Sequence, residues 1–89
     1  MARRVVFTDH AWADYLVWQQ TDRKMLRRLN GLIEAAAREP FAGIGKPEPL
    51  RGNWRGFWSR RIDDTHRLVY EVQGKDFVVV QCRFHYGDL

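Results

Sequence analysis

Cysteine is almost absent from this chain, and its scarcity excludes several classes of protein at once. Cys82 is the single cysteine among 89 residues, so the chain can form neither an internal disulfide nor a cysteine-pair zinc site. The three histidines, His10, His66 and His85, show no close ligand spacing. Cys82 itself falls at an inward position of a predicted strand. We therefore expect a buried thiol, no metal and no cofactor.

Long apolar runs and recognisable leader segments are also lacking. No stretch is apolar enough to cross a bilayer, which predicts a cytoplasmic protein without a membrane partner. A chain of 89 residues leaves no room for a second core, so residues 1–89 are predicted to form a single domain. The glycine-rich stretch around Lys46 lacks P-loop spacing, and Ser59 lacks a nucleophile elbow.

Positive charge, by contrast, is abundant. The formal net charge is +4, the sequence pI is about 9.7, and arginine outnumbers lysine. The planar guanidinium matches phosphate oxygens, so this composition favours RNA, DNA or an acidic protein as partner. Composition alone leaves open the alternative that the basic surface is merely solvated.

Two helices are predicted after a short opening strand over residues 3–7. The first begins at a cap provided by Thr8 or Asp9 and runs to about Trp18. Its expected buried stripe has helical spacing: Trp12, Tyr15 and Leu16. The second helix follows Thr21 or Asp22 and stops before Pro40. Its stripe is longer: Met25, Leu29, Leu32, Ile33 and Ala36.

Three strands are predicted in the C-terminal third, where apolar and polar residues alternate with period 2. The turns lie at Asp63-Asp64 and Gly74. In the last strand the inward residues are expected to be Val78, Val80, Cys82 and Phe84, and the outward ones Gln81, Arg83 and His85. The element order β-α-α-β-β-β predicts an α+β fold, with two N-terminal helices packed on one face of a mainly antiparallel sheet.

The polar face of this sheet is the candidate site, because Arg61, Arg67 and His85 are expected to meet there. Glu48 lies in a connector between two prolines, which hold it in extended geometry. A carboxylate, a histidine and arginines suffice for RNA cleavage, since the ribose 2′-hydroxyl supplies the nucleophile. Taken singly, Glu48 and His85 are more typical of ordinary surface residues than of catalytic groups, and Arg67 could form a cross-strand ion pair.

The chain resembles the Txe/YoeB family of toxin endoribonucleases, within the RelE-like group of toxin–antitoxin systems. The resemblance is carried by GKPEPL, WSRRI, HRLVY and the terminal HY, and extends upstream through WADYLVWQQTDRKMLRRLNGLIEAAAREPF. It implies a RelE-like fold and a ribosome-dependent endoribonuclease that cleaves messenger RNA. It also implies a cognate antitoxin of the YefM/Phd-like kind, contact with promoter DNA only through the antitoxin complex, and a possible homodimer.

The resemblance also implies roles for individual residues. The general base falls on Glu48, the phosphate-stabilising arginine on Arg67 and the general acid on His85. Substrate-binding roles fall on four further residues: Lys46, Arg51, Arg61 and Tyr86. The alternative hypothesis keeps the basic face without catalysis, giving an RNA- or ribosome-binding module or an antitoxin-bound subunit of a DNA-binding repressor complex.

Overall fold

Two helices and a five-stranded sheet make up residues 3–85, the part of the chain that a computed structural model describes. In chain order the elements are β1 (Arg4–Phe7), α1 (Asp9–Thr21), α2 (Arg23–Arg38), β2 (Glu48–Pro49), β3 (Trp58–Arg61), β4 (Arg67–Gln73) and β5 (Asp76–Gln81). The strand order is β1-β5-β4-β3-β2. β1 runs parallel to β5, and the other three pairs are antiparallel. The predicted α+β architecture is confirmed, with the two-residue strand β2 as an addition.

Side-chain caps fix where both helices begin. The Thr8 hydroxyl accepts a hydrogen bond from the Ala11 N–H at 3.1 Å, and the Asp22 carboxylate accepts one from the Met25 N–H at 3.0 Å. α1 runs three residues beyond its predicted end. The reason is that Asp22 serves both helices, because its own N–H donates to the Trp18 carbonyl at 2.9 Å and closes α1.

The stripe predicted for α2 is confirmed, but the one predicted for α1 is only partly right, because Tyr15 packs against the core and Trp12 does not. The α1 residues that are buried are Ala11, Asp14 and Trp18, whereas Trp12 is 48% exposed. Trp12 instead stacks on Tyr15, with ring centroids 5.6 Å apart, and meets the edge of Phe7. It therefore covers the end of β1 rather than the core.

The core lies between the helices and one face of the sheet. Its largest members are Trp18, Leu29, Leu32, Ile33, Ile62, Leu68, Tyr70 and Phe77. Burying each such side chain contributes on the order of 1.5–3 kcal/mol, so this layer is the main source of stability in a chain of this length.

A β-bulge reverses the face that β5 turns to the core. Val69 pairs with Gln81 but Tyr70 pairs with Val79, so Val80 is an extra residue. Before the bulge the buried core residues are Phe77 and Val79, and after it the core residue is Cys82. The prediction of Val78, Val80 and Phe84 as core is therefore wrong. Gln81, predicted to face outward, is fully buried, and Phe84 is 41% exposed.

Neither helix within residues 3–85 combines the length and the apolar character that a membrane span requires.

Candidate active site

A polar cavity of about 250 Å³ lies on the sheet face turned away from the helices. The side chains that line it come from the connector before β3, from β3 itself, from the start of β4 and from the C-terminal segment: Lys46, Glu48, Ser59, Arg61, Arg67 and His85. Five of the seven residues predicted for the site thus meet around one cavity. Ser59, which is buried, was not predicted.

Glu48 reaches the cavity because β2 adds it to the edge of the sheet. It pairs with Ser59 across β2 and β3, and its neighbours Pro47 and Pro49 restrict the backbone on either side. Within residues 3–85 the Glu48 carboxylate forms neither a hydrogen bond nor an ion pair, although the side chain is exposed beside several cations. Its carboxylate oxygens are therefore not occupied by other side chains of the described part of the chain.

Two arginines face each other across the neighbouring strands. Arg61 of β3 pairs directly with Arg67 of β4, which places their Cβ atoms about 5 Å apart. Like charges at such a position destabilise a sheet, typically by some tenths of a kcal/mol. A bound anion would remove this repulsion, so the pair is suited to a phosphate group.

Backbone contacts orient Arg67. Its Nη1 donates to the Asp63 carbonyl at 2.6 Å and to the His66 carbonyl at 3.1 Å. The Asp63 carboxylate instead accepts the N–H groups of Thr65 and His66, which shapes the turn. Arg67 thus contacts Asp63 through an uncharged oxygen. Its positive charge is not neutralised by the cross-strand ion pair that the sequence left open.

Arg60 is a fully buried residue that was not singled out from the sequence. Its guanidinium donates to the Tyr70 hydroxyl at 3.0 Å and to the carbonyls of Glu39, Ala42 and Ile44 at 2.6–2.9 Å. It therefore fastens the connector that leads to Lys46 and Glu48. The signal in the sequence is a pair of adjacent arginines in a strand, Arg60 and Arg61. Because neighbouring strand residues point to opposite faces, one of the two had to point inward.

Tyr70 also holds this connector in place. Its hydroxyl donates to the Pro40 carbonyl at 2.6 Å while accepting from Arg60. Burial raises the pKa of Tyr70, and the hydrogen bond and positive charge of Arg60 offset part of that rise. The connector between α2 and β2 contains two consecutive residues with left-handed backbone, Gly45 with φ of 82° and Lys46 with φ of 51°. The Gly45 carbonyl accepts from the Arg61 N–H at 2.7 Å, which joins the connector to β3.

The other residues singled out from the sequence lie elsewhere. Arg51 lines a neighbouring depression that it shares with Glu48, Pro49 and Leu50, rather than the cavity itself. Tyr86 falls outside the described residues. Cys82 is buried, and burial together with the nearby Asp14 carboxylate raises the pKa of its thiol, so it is an unreactive core residue. Across residues 3–85 no three His, Cys, Asp or Glu side chains converge as metal ligands would.

Comparison with known proteins points to one family. Residues 7–86 match the family model described as the YoeB-like toxin of bacterial type II toxin–antitoxin systems. A curated relative, Toxin YoeB of Streptomyces coelicolor, is 57% identical over 83 residues, which cover 93% of this chain and 99% of the relative.

Solved structures agree with that match. A YoeB/ParE toxin from Agrobacterium tumefaciens superposes with a TM-score of 0.89 at 52% identity, covering 93% of this chain and 99% of the other. The YoeB dimer of Staphylococcus aureus gives a TM-score of 0.88 at 39% identity, and the YoeB–YefM heterotetramer from the same organism gives 0.86 at 39%. In both, 97% of this chain and 100% of the other are covered.

Proposed function

The chain belongs to the YoeB-like toxins of bacterial type II toxin–antitoxin systems, and from that premise we propose that it is an endoribonuclease that cleaves messenger RNA on the ribosome. The observation that carries the proposal is the single cavity that gathers Glu48, Arg61, Arg67 and His85. A carboxylate, a phosphate-sized cluster of cations and a histidine are the groups that RNA cleavage by its own 2′-hydroxyl requires.

The proposed reaction uses each of these groups once. Glu48 takes the proton of the 2′-hydroxyl, whose oxygen then attacks the adjacent phosphorus. Arg67, assisted by Arg61, stabilises the charge that builds up on the phosphate oxygens. The bond from phosphorus to the 5′-oxygen breaks, and His85 donates a proton to that leaving oxygen. The products are a 2′,3′-cyclic phosphate and a 5′-hydroxyl.

The remaining predicted residues have binding roles in this proposal. Lys46 lies in the same cavity and supplies a third positive charge for the RNA backbone. Arg51 lies beside Glu48 in the neighbouring depression, where it can contact a phosphate next to the one that is cleaved. Tyr86 is proposed to stack on a base, which is the role that follows from an aromatic residue adjacent to His85.

The test is to add the purified protein to a translating extract and map the 5′ ends of a reporter messenger RNA. We expect cuts within decoded codons, and we expect Glu48→Gln to abolish them without unfolding the domain. Glu34→Gln is the matched control, because Glu34 is an exposed carboxylate on α2 that pairs with Arg38. Stalled ribosomes on intact messenger RNA would instead favour a non-catalytic binding module, and full activity of Glu48→Gln would refute the acid–base assignment.

We also propose that a YefM-like antitoxin binds the chain in the cytoplasm, that promoter DNA is contacted only through that complex, and that two copies can pair. The YoeB–YefM and YoeB dimer structures from Staphylococcus aureus support these partners by similarity. Size-exclusion chromatography with light scattering, with and without a co-expressed antitoxin, distinguishes the two assemblies. A chain that stays monomeric in both preparations would contradict both proposals.

A further inference from the structure

His66 lies where α1, the start of β4 and the C-terminal segment meet. Its Nδ1 accepts a hydrogen bond from the Phe84 N–H at 2.7 Å. The imidazole meets the Trp18 ring edge-on, with centroids 4.8 Å apart, and the Phe84 ring at 5.6 Å. His66 does not line the cavity that holds Glu48, yet it contacts the residue directly before His85.

Phe84 has an unusual backbone that needs such support. Its φ is 64°, in the left-handed region, which is energetically unfavourable for a bulky residue. Both of its backbone groups are bound: the N–H by His66, and the carbonyl by the Arg67 N–H at 3.0 Å and the Gln81 Nε2 at 3.1 Å. Because this conformation sets the direction in which the chain leaves Phe84, the same contacts contribute to the placement of His85.

The direction of this hydrogen bond makes Nδ1 of His66 the acceptor. An imidazole that accepts at Nδ1 carries its proton on Nε2, and an imidazolium has no acceptor at all. The ring borders a cavity of about 390 Å³ between α2 and the turn before β4. The charged side chains that face this region are Asp22, Lys24, Arg28, Asp63, Arg67 and Arg83. Carboxylates and cations are thus both present around the ring.

We propose that neutral His66 is a positioning residue for the reaction: through Phe84 it holds His85 in the cavity, and protonation of His66 releases that segment. The proposal rests on the role proposed for His85. It assigns His66 no contact with the substrate.

Two variants separate the hydrogen bond from the packing. His66→Asn places Oδ1 where Nδ1 stood, so it keeps an acceptor at every pH. His66→Phe keeps an aromatic ring against Trp18 but offers no acceptor. The first measurement is amide hydrogen exchange of the full chain by NMR, which needs no ribonuclease activity, compared at about pH 7.5 and about pH 5.5, the range in which imidazoles ordinarily titrate.

We expect the Phe84 amide of the wild type to be protected at the higher pH and to lose protection, relative to the intrinsic rate, at the lower one. It should be protected at both in His66→Asn and at neither in His66→Phe. The Thr8 amide, which donates to the Val79 carbonyl, is the internal control and should stay protected throughout. Equal protection of Phe84 in His66→Phe and in the wild type would overturn the proposal.

The second measurement is cleavage. We expect His66→Phe to lose roughly 10- to 100-fold in kcat with a smaller change in KM, because the proton donor is displaced while the phosphate site remains. The ratio of His66→Asn to wild-type activity should rise as the pH falls. Wild-type kcat in His66→Phe would refute the positioning role. If no variant cleaves RNA, the proposed function fails, and hydrogen exchange still decides whether His66 holds Phe84.

Discussion

At the scale of single residues, the candidate site places two like charges opposite each other, which does not stabilise the fold. Arg61 and Arg67 face each other across two strands, and within residues 3–85 the carboxylate that pairs with Arg61 is the fully exposed Asp64, at 3.9 Å. An exposed ion pair of this kind contributes little. The two arginines therefore repel each other, and an anion bound between them would relieve that repulsion.

The first prediction concerns Arg61→Gln. We expect the free energy of unfolding to stay the same or rise by up to about 1 kcal/mol, because a like-charge pair is removed. Messenger RNA cleavage should fall roughly 10- to 100-fold, because one phosphate donor is lost. Urea denaturation and the extract assay measure the two effects. Arg55→Gln is the control, since Arg55 is exposed outside the cavity; a large loss of stability in Arg61→Gln alone would contradict this account.

The second prediction concerns Tyr70, where we expect a substitution to lower the free energy of unfolding. Tyr70→Phe removes the hydroxyl that serves Pro40 and Arg60, and leaves both buried partners short of a hydrogen bond. We expect a loss of about 1–3 kcal/mol in the free energy of unfolding, measured with urea. Tyr15→Phe is the control, because its exposed hydroxyl donates to Asn30 and should cost less than about 1 kcal/mol.

Tyr70→Phe should also change how the free energy of unfolding depends on pH at alkaline pH. Burial raises the pKa of Tyr70, so the folded state holds the phenolic proton more tightly than the unfolded state does. The resulting stability is complete below the ordinary tyrosine pKa of about 10 and is lost as the pH rises beyond it. The Tyr70→Phe profile should fall less steeply there than that of the wild type, with Cys82 titrating in both. Parallel profiles would show that Tyr70 does not titrate on unfolding.

At the scale of elements, the order of helices and strands was largely predictable from the sequence. Which residues of β5 face the core was not. Helix caps, Pro40 and the turns at Asp63 and Gly74 are local signals, and they gave the order of elements correctly. The bulge between Val69 and Tyr70 is a property of strand pairing, so alternation within β5 alone could not reveal the reversal. The prediction that Val78 and Val80 face the core is wrong, because Phe77 and Val79 do so instead. The bulge then shifts the alternation by one residue, so the same prediction is correct for Cys82.

The site was predictable to a similar extent. Strand alternation placed Arg61, Arg67 and His85 on one face, whereas the family resemblance was needed to choose the roles proposed for Glu48 and His85 over an ordinary surface position. What sequence could not give is the support beneath them: Arg60 bound to carbonyl oxygens of the connector, and His66 bound to Phe84. Both contacts join segments that are far apart in the sequence. In each contact one partner is a backbone group, either a carbonyl acceptor or an N–H donor, and every residue type offers such groups.

Gly45 supplies the prediction that belongs to the connector as an element. A Cβ at this position would lie 2.7 Å from Cδ2 of Leu32 and 3.2 Å from Cβ of Arg60, and the backbone is left-handed with φ of 82°. We expect Gly45→Ala to lose roughly 2–4 kcal/mol, combining backbone strain with a displaced core side chain. Gly52→Ala is the control, because Gly52 is also left-handed but has open space around its Cβ position, so about 1 kcal/mol is expected. Equal losses in both variants would mean that the connector tolerates the added methyl group.

At the scale of the whole molecule, a net charge of +4 and a cluster of cations in one cavity predict how RNA binding responds to salt. Each phosphate contact releases condensed counterions, so the logarithm of the association constant should fall linearly with the logarithm of the salt concentration. If Lys46, Arg61 and Arg67 each contact one phosphate of single-stranded RNA, the slope contributed by the cavity is about −2.

The measurement uses Glu48→Gln, so that binding to a short single-stranded RNA is followed without cleavage, at several salt concentrations. Adding Arg61→Gln should make the slope about 0.7 less negative, because one phosphate contact is lost. Adding Arg38→Gln should leave the slope unchanged, since Arg38 lies on α2 and pairs with Glu34. Equal changes from Arg38 and Arg61 would mean that RNA senses only the overall charge of the protein. A change from Arg61 alone would identify the cavity as the place where the RNA backbone binds.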